Sequence, residues 1–278
     1  MTSEWSFSEV SSRWKTMKKS CNKISWEDAI IKVVKECGGS ATLKEVYQKV
    51  PQIREVPPHL DANHIIRAFL RRMTRITGKL KRIGLGIYTL PDIKLEKTLF
   101  CERQEGQAKT EIFKGVSDIE LHSYVEGMLL ELGNIYGYLT YTADPSGMFC
   151  GKLLKKFATV ENFPQFTSPP LLNIAKTIDV IWFKKRALVV MPKHTFDVER
   201  TTDFSKALHR AYQLRDFRVT FYVVSAMGKN RQFKKKLTTD PYEEISDRFF
   251  FRSPEDIFLL YETALKHSEL KERILIES

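Results

Sequence analysis

Residues 177–199 read TIDVIWFKKRALVVMPKHTFDVE, the stretch that most constrains the fold. TIDVIWF is rich in β-branched and aromatic residues and is expected to be a strand. KKR reads as a turn and ALVVM as a second strand. TFDVE either continues that strand past a bulge at Pro192 or forms a third. One residue breaks the first apolar run, Asp179, and an acid in a buried strand is costly unless it is paired or holds a cation. Side chains two apart in a strand share a face, so Phe196 and Val198 point one way and Asp197 and Glu199 the other. If the two segments are neighbours in a sheet, three carboxylates converge. Neither strand offers a cationic partner at fixed spacing. A divalent cation relieves the repulsion with the least strain, and Mg²⁺ suits oxygen ligands.

The flanking sequence alternates helix and strand. SDIELHSYVEGMLLELG opens with Ser117 and Glu120, a capping-box pair, and predicts a helix to about Leu132 that carries Glu126. GYLTYTA predicts a strand that ends at Asp144-Pro145. Residues 147–175 read as irregular, with GKLLKKF helical and FPQFTSPP not. After the acidic strand, FSKALHRAYQL predicts a helix, and FRVTFYVVSA a strand apolar enough to be central. GKNRQFKKKL reads as a basic helix. DRFFFRSPEDIFLLYETALKH reads as a last strand, a capped start at Ser253-Pro254 and a final helix. The expected class is α/β (α+β over the whole chain), with a mixed sheet flanked by helices.

Net charge is +11, unevenly spread. Residues 1–90 hold 17 Lys and Arg against 8 Asp and Glu, and the remainder 28 against 26. A basic first third suits a polyanion-binding module followed by a part that does something else. Its pattern is a helix from Trp26 with Ser25 as N-cap, stopped by Gly38-Gly39, and then a second helix after Thr42. A proline loop follows, then a third helix over about 60–77 ending at Gly78, and a strand–turn–strand in KLKRIGLGIYTLP. Three helices followed by a β-hairpin is the order of a winged helix-turn-helix. In the third helix Ile66, Phe69, Leu70, Met73 and Ile76 recur at core spacing. Arg67, Arg71 and Arg75 form one ridge that Asn63 extends, with Lys79, Lys81 and Arg82 on the wing. Stacked arginines repel one another unless an anion is near. A phosphate backbone supplies one, and Arg and Asn also read base edges.

Residues 117–250 resemble the PD-(D/E)xK nuclease superfamily, as found in restriction endonucleases. The resemblance rests on an acid on a leading helix (Glu126), a metal-binding Asp on a strand (Asp179), an acidic tripeptide on the next strand (Asp197-Val198-Glu199) and a trailing helix. FDVERTT is also similar to a signature of winged-helix proteins fused to such domains. The family's lysine is missing. Either Asp197 is the second ligand and Glu199 takes the lysine position, or Glu199 is the ligand and Thr201 stands in for lysine. The D-x-E arrangement is favoured because its two acids share a face. The resemblance implies Mg²⁺ held by Asp179 with Asp197 and/or Glu199. Glu126 would hold a water or a second metal, and Arg210 and Gln213 would touch the phosphate or order the site.

The expected organisation is an extension (1–24), a winged helix-turn-helix (25–91), a linker (92–116) and a nuclease-like domain (117–278). The implied function is sequence-specific double-strand cleavage of DNA by an endonuclease of restriction type, acting as a homodimer. The alternatives are an inactive DNA-binding regulator, or a nuclease acting on RNA or on branched or damaged DNA. No apolar run reaches the roughly 20 residues of a membrane helix. No small-molecule cofactor beyond the metal is expected. MTSEWSFSEVSSRWKTMKKS has no signal-peptide core, and Cys21, Cys37, Cys101 and Cys150 form no CxxC pair. A cytoplasmic setting with free thiols is the expectation.

Overall fold

The computed structural model describes residues 24–56, 60–93 and 117–275. The expected extension before Ile24, most of the expected linker, the loop prolines Pro57 and Pro58, and Cys21 and Cys101 lie outside the described residues. Among the described residues, Cys37 and Cys150 are not in a disulfide.

The N-terminal part follows the expected order, with one strand added. Helix α1 (Trp26–Glu36) starts where Ser25 Oγ accepts from the Asp28 N–H, with Glu27 and Asp28 in the positive first turn. Gly38 and Gly39 stop it, both at positive φ. Strand β1 (Ser40–Thr42) follows, and three residues are too few to announce themselves by periodicity. A Thr42/Glu45 capping box opens helix α2 (Leu43–Ile53), and Asp61 caps helix α3 (Ala62–Arg75). The hairpin strands β2 (Lys81–Arg82) and β3 (Ile87–Thr89) join β1 in an antiparallel sheet ordered β1-β3-β2. Ile66, Leu70 and Met73 pack with Ile30, Val33, Val46 and Val50. Phe69 is packed at the margin of that cluster. Ile76 was expected in the core but is 79% exposed, because the helix ends at Arg75 and the face pattern lapses with it.

Helix α4 (Asp118–Ile135) has the expected Ser117/Glu120 capping box. It does not stop at Leu132: Gly133 lies inside it. A Cβ at Gly133 would come within 2.6 Å of Trp182 Nε1, and one at Gly127 within 2.2 Å of Phe149 Cγ. Both glycines therefore let the helix sit close to its neighbours. Strand β4 (Leu139–Thr142) is followed by a small hairpin, β5 (Met148–Phe149) and β6 (Lys152–Leu153), within the region expected to be irregular. GKLLKKF, expected to be helical, holds β6 and then one 3₁₀ turn, Leu154–Lys156. Helix α5 (Pro169–Ala175) begins on the prolines read as non-helical, since proline is tolerated in a first turn.

Strand β7 (Val180–Arg186) runs through KKR, and the turn falls at 187–188 with Ala187 at positive φ. Strand β8 (Val189–Val198) is continuous. Trp182 pairs with His194 and Phe183 with Pro192, so Lys193 is the extra residue of a bulge beside that proline. Helix α6 (Ser205–Gln213), strand β9 (Thr220–Val224), helix α7 (Asn230–Leu237), strand β10 (Phe249–Arg252) and helix α8 (Pro254–Leu275) complete the chain. The five-stranded sheet is ordered β10-β9-β8-β7-β4. β8, β9 and β10 run parallel, and β7 is antiparallel to β8 and to β4. This is the mixed sheet flanked by helices that the sequence predicts. Val180, Trp182, Phe196 and Val198 pack on one face with α4 and α8. Ile181, Phe183, Phe221 and Val223 pack on the other with α6 and α7. No helix among the described residues is long and apolar enough to cross a membrane.

The hairpin does not stand free. Ile83, Leu85 and Ile87 are buried in the same cluster as α4 and α8. The Leu85 and Gly86 N–H groups donate to the Glu131 carboxylate at 3.2 and 2.9 Å, and the Tyr261 hydroxyl also donates to Glu131. Across the same junction Lys44 Nζ reaches Ala158 O at 2.8 Å, and Lys156 reaches Glu45 at 3.1 Å.

Candidate active site

The acids meet at one end of the sheet. The β7–β8 ladder begins with Val180 opposite Phe196, so Asp179 stands one residue before β7, beside the end of β8. Its Oδ2 accepts the Val198 N–H at 2.7 Å. Asp197 is the penultimate residue of β8 and is buried, at 3% exposure. Glu199 lies one residue beyond the strand. Its N–H donates to Val224 O, and its carbonyl accepts from Ser225 Oγ, which extends the pairing toward β9. The alternation expected of TFDVE holds: Phe196 and Val198 enter the α4 side, while Asp197 and Glu199 meet α6.

A cation does sit between those two acids, and it comes from a helix. Arg210 of α6 places Nη2 2.5 Å from Asp197 Oδ1 and 3.6 Å from Glu199 Oε1. Of the two roles expected for Arg210, touching the phosphate or ordering the site, the contacts with the carboxylates correspond to the second. Burial pushes the Asp197 carboxyl up, opposed by Arg210. The same two influences act on Glu199, with a net upward shift.

A second group lies beside the first. His122 and Glu126 are one helical turn apart on α4, with His122 Nε2 3.3 Å from Glu126 Oε1 and 3.8 Å from Asp179 Oδ2. One ligand atom from each of the three residues lies within 4.8 Å of the others. Glu126 is 1% exposed, and burial pushes its carboxyl up to about 7. Burial pulls the His122 imidazole down, but the Glu126 and Asp179 carboxylates outweigh it and the net shift is upward. Burial likewise raises Asp179, against the Val198 N–H, His122 and Arg210. Glu126 Oε2 and His122 Nδ1 are buried without a hydrogen-bond partner among the described residues. The atoms that face one another, Glu126 Oε1, Asp179 Oδ2 and His122 Nε2, make a set of two carboxylates and an imidazole that fits a divalent cation.

Of the acids singled out in sequence, Glu126, Asp179, Asp197 and Glu199 come together. Thr201 is exposed, as is Thr202, and neither caps α6; that turn is tied by Asp203, which accepts the Ser205 N–H. Lys193 sits in the bulge, and burial, helped by the Lys193 charge, pushes His194 down to about 4. His122 is a site residue that the strand and acid pattern does not mark out. Its signal was the four-residue spacing from Glu126 in HSYVE.

The candidate DNA-contacting residues divide in two. Asn63, Arg67 and Arg75 are exposed along α3, Arg71 is half-buried between them, and Arg67 Nε donates to the Tyr47 hydroxyl. The cations that follow α3 are engaged with the chain itself. Lys79 pairs with Glu27 at 2.6 Å, Lys81 donates to Pro91 O at 3.4 Å, and Arg82 donates to Gly84 O and Leu85 O.

The chain matches no protein-family model and no curated protein. Among solved structures it is similar to the pre-specific complex of restriction endonuclease BsaWI with DNA, at 13% identity over 84% of this chain and 83% of that one, with a TM-score of 0.33.

Proposed function

We propose that the chain is a Mg²⁺-dependent endonuclease of restriction type that cuts both strands of DNA at a specific sequence. In this reading residues 25–91 are a winged helix-turn-helix that engages the duplex through Asn63, Arg67, Arg71 and Arg75. Residues 117–278 are a PD-(D/E)xK-like cutting domain. The observation that carries the reading is the convergence of Glu126, Asp179, Asp197 and Glu199, with His122 and Arg210, at one end of a mixed sheet. Structural proteins rarely gather four carboxylates where two of them are buried, because each costs desolvation.

Asp179 belongs to both candidate ligand sets: with Asp197 and Glu199, as sequence suggests, or with His122 and Glu126, as distances suggest. A cation bound there would lower the pKa of a bound water and offset charge on the phosphate. If the ion instead sits with Asp197 and Glu199, Glu126, raised to about 7 by burial, is suited to accept the proton of the attacking water. Arg210 holds Asp197 and Glu199 in place. Cutting both strands at one position calls for two such sites, and a homodimer provides them.

A second reading has its own support. With the family's lysine absent and Arg210 already neutralising Asp197 and Glu199, the domain can bind DNA without cutting it. The deciding experiment incubates phage DNA with the protein and Mg²⁺, with EDTA, and with Asp179→Ala. Discrete fragments seen only with Mg²⁺ and the unaltered chain establish the endonuclease. Intact DNA despite salt-sensitive binding establishes the regulator.

A further inference from the structure

We infer that the cation site of this chain is His122–Glu126–Asp179 and that its imidazole makes it prefer Mn²⁺ to Mg²⁺. The inference deepens the nuclease reading, on which its catalytic meaning rests.

The acids are not equivalent. Asp197 and Glu199 share the Arg210 guanidinium, at 2.5 and 3.6 Å. A divalent ion placed between them would sit against a fixed positive charge. The α4 side is different. His122 Nε2 faces Glu126 Oε1 at 3.3 Å and Asp179 Oδ2 at 3.8 Å, and three ligand atoms converge within 4.8 Å. An ion with ordinary bond lengths requires these atoms to close by only a fraction of that distance.

The independent observation is Glu126 itself. It is 1% exposed, and its Oε2 is buried without a partner among the described residues. A buried carboxylate oxygen left unmatched is costly, and a bound cation removes the cost. Asp179 is pre-set for the role, since the Val198 N–H fixes its Oδ2 at 2.7 Å.

The donor set then decides the ion. Mg²⁺ takes oxygen ligands and gives up water reluctantly, whereas imidazole nitrogen suits the later first-row metals. One nitrogen with two carboxylates therefore ranks Mn²⁺ above Mg²⁺ in affinity, while availability still decides which ion works in a cell.

The test is Mn²⁺ titration of the full chain without DNA, read by the electron paramagnetic resonance of free Mn²⁺, with Mg²⁺ as competitor. The expected result is one Mn²⁺ per chain that Mg²⁺ displaces only in excess. His122→Gln should weaken Mn²⁺ by roughly tenfold or more and erase the preference over Mg²⁺, while Glu199→Gln leaves Mn²⁺ affinity within about twofold. Thermal melts in EDTA confirm that each variant folds. Absence of Mn²⁺ binding, or its loss in Glu199→Gln with retention in His122→Gln, overturns the inference. If Mn²⁺ binds through His122 and DNA is never cut, the inference stands and the nuclease reading falls. If His122→Gln cuts DNA with an unaltered metal preference, the nuclease reading stands and the inference falls.

Discussion

The Arg210 guanidinium lies 2.5 Å from Asp197, thirteen residues upstream, and joins helix α6 to the end of strand β8 in the half-buried centre of the site. Asp197 is 3% exposed, and burial favours its protonated form while that partner favours the carboxylate. Arg210→Ala is expected to destabilise the fold by about 1–3 kcal/mol by taking the hydrogen-bond partner from a buried acid. Arg210→Ala together with Asp197→Asn should recover much of that loss. Urea unfolding of the three proteins checks both, and an unchanged midpoint for the single variant would show that the pair holds nothing.

Stability should depend on pH through Glu126. Its ordinary pKa is 4.5 and burial raises it to about 7, so between those values the folded chain keeps a proton that the unfolded chain has released. The contribution is fully present below about 4.5 and is lost as pH rises through about 7. Its size is on the order of 3 kcal/mol. In EDTA, Glu126→Gln should therefore gain stability over the unaltered protein at pH 8 relative to pH 5. Equal differences at the two pH values would refute this. For the same reason divalent-ion affinity should rise from pH 6 to 8, because the ion competes with that proton.

Glu131 is the keystone between the hairpin and the second part. It accepts from Leu85 N, Gly86 N and the Tyr261 hydroxyl. Glu131→Ala removes the acceptor of the Gly86 N–H, at about 1–3 kcal/mol for a buried donor left unsatisfied, whereas the Leu85 N–H keeps the Tyr261 hydroxyl oxygen at 3.0 Å. Hydrogen exchange should quicken at the Gly86 amide before the Leu85 amide. If Gly86 protection is unchanged, the hairpin is held by its other contacts alone.

The α3 ridge makes a quantitative claim about salt. If Arg71 and Arg75 each neutralise a phosphate, each alanine substitution should lower the slope of log affinity against log salt by about 1. Arg82→Ala should leave the slope alone and lower stability, because its guanidinium holds Gly84 O and Leu85 O. Fluorescence anisotropy at several salt concentrations separates the two effects.

Much of this was readable from sequence because it is local. The Ser117/Glu120 and Thr42/Glu45 boxes lie within one helical turn, and the alternation of TFDVE needs only the pleat of a strand. What was missed is tertiary. Arg210 reaches Asp197 only once β8 and α6 have packed, and no spacing rule links a strand acid to a helix arginine. The His122–Glu126 spacing was visible, but its meaning depends on Asp179 arriving from the start of β7. Gly133 looked like a helix end, and only the Trp182 ring beneath it shows why a glycine belongs inside the helix.

Glu126 and Glu131 stand five residues apart on α4, about 7 Å along its axis. One meets the acids of the site, and the other grips the hairpin that follows α3. The two ends of the proposed activity thus hang from a single rod. On that geometry the place of cutting is measured by a stiff ruler rather than by a tether. Inserting extra residues between positions 92 and 116 would leave the offset between the bound sequence and the cut unchanged.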